Sequence, residues 1–363
     1  GVAFALQRAL TVPEAEIRRM TVGDLQADGS PEIAYCGYYG GRVLSIAAGT
    51  TLLSRECWDA AIGNVDSDPA AELVLAGGTD FPNGRRGASV VIDGVTQAIE
   101  WAPSVSFGNY IALVDDDGDG RSRIVGAQGS GKMHLFDALS RAVVASHTPA
   151  YEVDALRVVD ADGDGLVEVV YGDDQWGAIV VLEPSSLAVR WRRANPGWGF
   201  GDIAAADPDR DGQRELIWSP QALGMLFYLV SGPAHEIEAS LPSDANPART
   251  LDIDDVNADG FTDLLGASPG TWFLADTRNR RIARSVQYGF DIARAAQVDG
   301  DPQLEIIGTW ANPYDGYIVC LDSLSGLEQW RTRVMNVPSS RQAGLNANAG
   351  RDRDANAQVV YTP

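Results

Sequence analysis

Carboxylates recur in this sequence at alternate positions of short loops, a spacing suited to holding a hard cation. The fourth such stretch, DADGDGLVE, places Asp160, Asp162, Asp164 and Glu168 at positions 1, 3, 5 and 9. Calcium takes roughly six to eight oxygen ligands in flexible geometry, so alternate side chains of one tight loop converge on a single ion. Glycine at position 6 permits the sharp turn, because it adopts positive φ without steric cost. The fifth loop repeats the set with Asp207, Asp209, Asp211 and Glu215, and the sixth with Asp255, Asn257, Asp259 and Asp263. The third keeps Asp115, Asp117 and Asp119 but carries Arg123 at position 9. The first offers Asp24, Asp28 and Glu32 around Gln26, and the second Asn64, Asp66, Asp68 and Glu72. The seventh supplies Asp299, Asp301 and Glu305 behind Gln297, and the eighth is reduced to Asp352 and Asp354.

Two other readings compete with calcium. Asp-rich turns are also held by side-chain-to-backbone hydrogen bonds alone. An EF-hand needs flanking helices and a Glu at position 12. Here each loop runs directly into a strand-like run such as EVVYG or DLLGA, which excludes the EF-hand. The net charge is −22, and about half of the 50 Asp and Glu residues lie in the eight windows. Such carboxylates repel at close range, and bound divalent cations relieve the repulsion. The same acidity argues against nucleic acid and anionic membrane surfaces as partners. No run of about 18 apolar residues is present to insert in a membrane. The first residues, GVAFALQ, lack the basic leader and long apolar region of a signal peptide. Catalytic constellations are sparse: His134, His147 and His235 are scattered and form no metal-ligand spacing, and no Gly-rich loop precedes a helix.

The elements that must carry the loops follow from their spacing. The loops begin at positions 24, 64, 115, 160, 207, 255, 297 and 350, at intervals matching a four-stranded propeller blade. Around the fourth, ALRVV precedes the loop and LVEVVYG follows it, then AIVVLEP, a short turn and LAVRWRR. Each is a β-branched run bounded by Gly, Pro, Asp or Ser, the pattern of a strand. The expected fold is therefore all-β, one domain over 1–363: an eight-bladed β-propeller of four-stranded antiparallel blades, with seven blades as the alternative. The last repeat stops after its second strand, so residues 1–17 are expected to supply the outer strands of that blade. Pairing the two ends in this way closes the ring and removes open sheet edges.

These loops resemble the FG-GAP or VCBS repeats of integrin α-subunit-like propellers, with DADGDGLVEVVYG and DVNADGFTDLLGA matching that family's loop-plus-strand motif. The resemblance covers nearly the whole chain. It implies several calcium ions in the loops, a secreted, cell-surface or periplasmic setting, and adhesion or ligand recognition. Two departures stand out: the integrin propeller has seven blades, and several repeats here lack the FG-GAP tripeptides.

Strand alternation puts the metal loops on one face with the three-to-four turns, which makes the metals structural and leaves the opposite face for binding. That face is expected to present Tyr38, Tyr39, Phe81, Trp176, Trp310 and Tyr314 from two-to-three loops. Inter-blade loops are expected to add Trp198 and Phe200, with Phe107, Tyr110 and Phe290. Exposed aromatics with polar rims suit a glycan or a protein partner. By contrast, Trp58, Trp101, Trp191 and Trp330 recur at fourth-strand ends and read, with Trp218 and Trp272, as blade packing. Asp59, Asn109, Asp154, Asp202 and Asp291 precede the innermost strands, as a polar channel mouth or a cation or polyol site. Cys36, Cys57 and Cys320 are small buried hydrophobes, or Cys36 and Cys57 form a bridge. The functional expectation is a non-catalytic, calcium-stabilised adhesion or recognition module. A carbohydrate-active enzyme of the propeller-lyase kind and a subunit of a surface assembly are the alternatives.

Overall fold

A computed structural model describes residues 17–37, 40–45, 48, 50–68, 70–77, 88–128, 131–173, 177–221, 225–230, 235–242, 248, 250–268, 271–286, 292–297, 301–312, 315–331, 344–347 and 359–362. They fall into two compact units. One comprises Glu14–Asp160 and Gly165–Ala194, and the other Ala161–Asp164 and Asn195–Pro363 together with the chain start.

The first unit contains four antiparallel four-stranded sheets, spanning residues 17–55, 59–101, 110–147 and 153–194. The second contains three more, at 202–242, 250–286 and 292–331, and a two-stranded pair, Gly344–Ala347 with Val359–Thr362. In each complete sheet the strands lie in sequence order, the meander of a propeller blade. Within the first unit the opening strands Ile17–Gly23, Asp59–Gly63, Tyr110–Val114 and Val153–Val159 neighbour one another in turn. Those of the second unit, Asp202–Ala206, Thr250–Asp254, Ile292–Ala296 and Gly344–Ala347, do likewise. The architecture is an all-β propeller of antiparallel four-stranded blades. The described residues form seven such four-stranded sheets and one two-stranded pair, rather than eight full blades. Residues 1–16, expected to finish the eighth, lie outside the described residues, and Ile17 instead opens the first sheet.

Burial follows the pleat. Second and third strands are buried along their length, as in Glu72–Ala76 and Ala178–Leu182, while fourth strands such as Val189–Ala194 alternate towards solvent. Apolar β-branched runs fill the interior strands because both of their faces pack against neighbouring sheets. Trp218 and Trp272 are fully buried in second and third strands, as the sequence predicts. Trp101 meets Phe107 and Phe136 edge-on in the 59–147 region. Phe107 is thus core and not a surface aromatic.

Cys36 and Cys57 form a disulfide with Cα atoms 5.3 Å apart. The bridge joins a second strand to the residue run after its own fourth strand, and closing a loop of 21 residues' separation contributes about 3 kcal/mol. Of the two readings of these cysteines, the bridge holds for this pair, and Cys320 is buried and outside any disulfide.

One irregularity repeats in all seven four-stranded sheets. The pairing of third and fourth strands slips by one residue at Val43/Leu44, Val91/Ile92, Leu135/Phe136, Val181/Leu182, Leu229/Val230, Leu274/Ala275 and Cys320/Leu321. The extra residue in the fourth strand is Leu52, Glu100, Val144, Arg190, Glu238, Ala283 or Gln329. A bulge re-aims one side chain and increases local twist.

Candidate metal loops and recognition face

Every acidic loop connects the first and second strands of its sheet. Position 9 is then the first residue of the second strand, as Glu32, Glu72, Glu168, Glu215, Asp263 and Glu305 show. Five loops share one backbone trace. Position 6 is a glycine with positive φ (Gly29, Gly120, Gly165, Gly212 and Gly260), and its N–H donates to the position-1 carboxylate at 2.9–3.2 Å. Position 4 is also left-handed, at Ala27, Gly118, Gly163, Arg210 and Ala258. The sequence gives no sign of this second left-handed position, because non-glycine residues occupy three of the five.

The remaining carboxylates cap the turn in the same way. Position 3 accepts from the N–H of position 5, as in Asp66 from Asp68 at 2.8 Å and Asn257 from Asp259 at 2.8 Å. Position 5 accepts from position 7, as in Asp28 from Ser30 and Asp211 from Gln213. These bonds are the side-chain-to-backbone turn expected without a metal. Some carboxylates have both oxygens engaged, as Asp24, Asp115 and Asp211 do.

Position 9 is different. Glu32, Glu72, Glu168, Glu215, Asp263 and Glu305 are all buried. One oxygen of Glu32 accepts from Leu25 N–H at 3.0 Å, and one of Glu72 from Val65 N–H at 2.6 Å. The second oxygens, Glu32 Oε1 and Glu72 Oε1, have no hydrogen-bond partner, nor does Glu215 Oε2 or Asp207 Oδ1. Burial pushes Glu72 up to about 7, and the charges of Asp66, Asp68 and Glu100 add to the rise while Val65 N–H opposes it. Burial likewise raises Glu215 to about 8, helped by Asp209, Glu238, Asp211 and Asp207. Asp263 rises to about 7 by burial, opposed by Asn257 N–H and helped by Asp259, Asp276 and Asp255. Glu32 is raised for the same first reason.

Three groups bring candidate ligand atoms within 4.8 Å of one another inside a single unit: Asp66, Glu72 and Glu100; Asp115, Asp117 and Asp119; and Asp207, Asp209 and Glu215. Glu100 comes from the strand Ile99–Trp101, far from the loop in sequence, and sequence spacing does not point to it. Orphaned buried oxygens beside clustered carboxylates fit a divalent cation, since an isolated buried charge is costly unless paired or metal-bound. In the third loop Arg123 turns aside to pair with Asp116 at 2.7 Å, and Arg121 pairs with Asp137 at 3.3 Å. Asp24, Asn64, Asp164, Asp255 and Asp259 lie in their loops as expected, with Asp301 and Glu305 in the seventh. Asp299, Asp352 and Asp354 lie outside the described residues.

The opposite face is less complete. Tyr38, Tyr39, Phe81, Trp176 and Tyr314 lie outside the described residues, and Trp310 is placed only as a backbone position in Glu305–Asn312. Trp198 is 39% exposed on a connection held by Asn195, whose side-chain amide donates to Gly199 O at 2.9 Å and whose carbonyl accepts from Trp218 at 3.2 Å. Gln221 N–H donates to Trp198 O at 2.6 Å, tying the connection to the turn after the second strand. Phe200 is 1% exposed and packs 6.4 Å from Trp218, so it is core and does not offer a ring to a ligand. Asp59 and Asp202, expected at a channel mouth, are buried and accept hydrogen bonds from the neighbouring sheet. Asp59 Oδ2 accepts from Ile111 N–H at 3.1 Å and Asp202 Oδ2 from Leu251 N–H at 3.1 Å. Asp252 makes a related contact to Ala295 N–H at 2.8 Å. His134 and His147 are each engaged by a hydroxyl, Ser146 at 2.7 Å and Tyr171 at 2.8 Å.

No protein-family model matches the sequence, and no curated protein matches it. Solved structures of β-propeller type do. Sqt1 of Saccharomyces cerevisiae is 10% identical over 96% of each chain, with a TM-score of 0.65. The computationally designed Ika8 protein is 13% identical, covering 96% of this chain and 97% of that one, at 0.60. The dihydro-heme d1 dehydrogenase NirN is 13% identical at 0.59, covering 85% of this chain, which spans 65% of that protein. At such identities the likeness establishes the fold.

Proposed function

We propose that this chain is a non-catalytic, calcium-stabilised recognition propeller of the FG-GAP or VCBS kind, working outside the cell. The observation that carries the reading is the set of buried position-9 carboxylates at Glu32, Glu72 and Glu215, each with an oxygen left without a protein partner. A cation bound there satisfies those oxygens and stabilises the native state by mass action, by about 2.7 kcal/mol per site at one hundred times Kd. Extracellular calcium is abundant enough to fill such loops, and the Cys36–Cys57 bridge suits an oxidising compartment. The ring in this reading has eight blades, closed by the N-terminal residues. A glycan or protein partner docks on the face away from the loops, where Trp198 presents its ring.

The test is metal analysis of the purified chain with thermal melts in calcium and in EDTA. Several calcium ions per chain and a melting temperature lowered by ten degrees or more in EDTA are expected. A metal-free chain that melts alike in both would remove calcium from the reading. For the ligand face, a glycan array and partner pull-down with Trp198→Ala should show weakened capture. Release of unsaturated product from an acidic polysaccharide would replace recognition with a lyase activity.

A further inference from the structure

Calcium in the loops leaves open which loops bind it tightly. By sequence the fourth loop is among the fullest and the second is weakened by Asn64 at position 1. The two sheets differ in the residue that sits at the bulge of the fourth strand.

In the second sheet the bulge falls at Glu100, between Ile99 paired with Ile92 and Trp101 paired with Val91. Its carboxylate joins those of Asp66 and Glu72, all within 4.8 Å. Glu72 is fully buried, and its Oε1 has no partner there. In the fourth sheet the same bulge falls at Arg190, between Val189 paired with Leu182 and Trp191 paired with Val181. Its guanidinium donates to buried Glu168, the position-9 acid of the fourth loop, and its Nε pairs with Glu183 at 3.0 Å. One structural position therefore adds a negative charge to the second loop and supplies a positive one to the fourth. Cation affinity in oxygen sites depends on ligand charge and number, so the two substitutions act in opposite directions. The fifth sheet has Glu238 at this bulge, where its charge acts on Glu215 and its carboxylate pairs with Arg280 at 3.1 Å.

Resting on the calcium reading above, we infer that the bulged fourth-strand residue sets each loop's calcium affinity: Glu100 completes a tight second-loop site with Asp66 and Glu72, and Arg190 holds the fourth loop weak by occupying Glu168. The β-bulge is the device that turns this side chain from the sheet face towards the start of the second strand. Aligned loops with equal ligand counts thus bind unequally.

The experiment is calorimetric calcium titration of the whole chain, stripped of metal, as wild type, Glu100→Gln, Asp66→Asn, the double variant and Arg190→Gln. Circular dichroism checks that each is folded. Glu100→Gln should weaken one site at least tenfold and leave the others. The double variant should lose little beyond Asp66→Asn alone, because both act on one ion. Arg190→Gln should strengthen one site about tenfold, through a carboxylate no longer occupied. A Glu100→Gln isotherm identical to wild type overturns the inference while the calcium reading stands. An unchanged Arg190→Gln isotherm overturns the Arg190 half. A wild-type chain that binds no calcium overturns both readings together.

Discussion

Two inner hairpins, those of the second and fifth sheets, bury a carboxylate at both ends, and the two ends treat it differently. In the second sheet Asp59 pairs with Ala76 at one end, and Glu72 pairs with Gly63 at the other. The fifth sheet repeats the arrangement with Asp202 opposite Ser219 and Glu215 opposite Ala206. Asp59 and Asp202 have both oxygens occupied by backbone N–H groups, one from the following residue and one from the next sheet. Glu72 and Glu215 each keep an oxygen with no protein partner. Burial alone does not mark a metal site. On the calcium reading the number of satisfied oxygens does, since a carboxylate fed by N–H donors is content without a cation.

Removing the satisfied carboxylate should have the larger effect. Asp202→Ala strands the N–H groups of Ile203 and Leu251 and opens a join between neighbouring sheets. Buried donors left unmade cost about 1–3 kcal/mol each, so a loss of about 3 kcal/mol is expected. Denaturant melts should show the same loss in calcium and in EDTA. A loss that appears only with calcium present would mean that Asp202 also serves a cation.

Much of this contrast lies beyond sequence reading. The loops were legible, because alternating acids, a glycine at position 6 and a β-branched run each have a local cause. So were the four-strand rhythm and the burial of Trp218 and Trp272. The roles of Asp59 and Asp202 were not, because their partners Ile111 and Leu251 lie about fifty residues downstream, on another sheet. Glu100 and Arg190 escape for a similar reason: a bulge is a feature of register, and register depends on the neighbouring strand. Trp198 and Phe200 look alike in sequence at two residues' distance, yet one ring is exposed and the other is packed on Trp218.

A pH series sharpens the comparison at intermediate size. In metal-free protein Glu215 titrates near 8 and Glu72 and Asp263 near 7, each raised chiefly by burial above its unfolded value. An acid with a raised folded pKa takes up protons on folding, so its contribution is full below the unfolded value, 4.5 for the two glutamates and 3.8 for Asp263, and is lost as pH climbs through 7 to 8. The chelated chain should therefore melt several degrees higher at pH 5 than at pH 8. Calcium should reverse the trend, because it binds the deprotonated carboxylates. A chelated melting temperature flat across that range would mean that solvent, and not protons, neutralises the loops.

The smallest effect expected is also the most discriminating. Glu215→Gln keeps the shape of the side chain and removes a buried charge whose Oε2 has no partner. In EDTA at pH 8 this variant should lose nothing and is expected to gain up to about 1 kcal/mol, because a neutral amide is less costly to bury than an unpaired carboxylate. In calcium the same substitution should be destabilising, since it deletes a ligand from the Asp207, Asp209 and Glu215 group. The change of sign between the two conditions is what distinguishes the loop end of the hairpin from the Asp202 end, where substitution costs the same in both. Equal destabilisation by Glu215→Gln with and without calcium would put Glu215 in the same class as Asp202, as a fixed part of the turn.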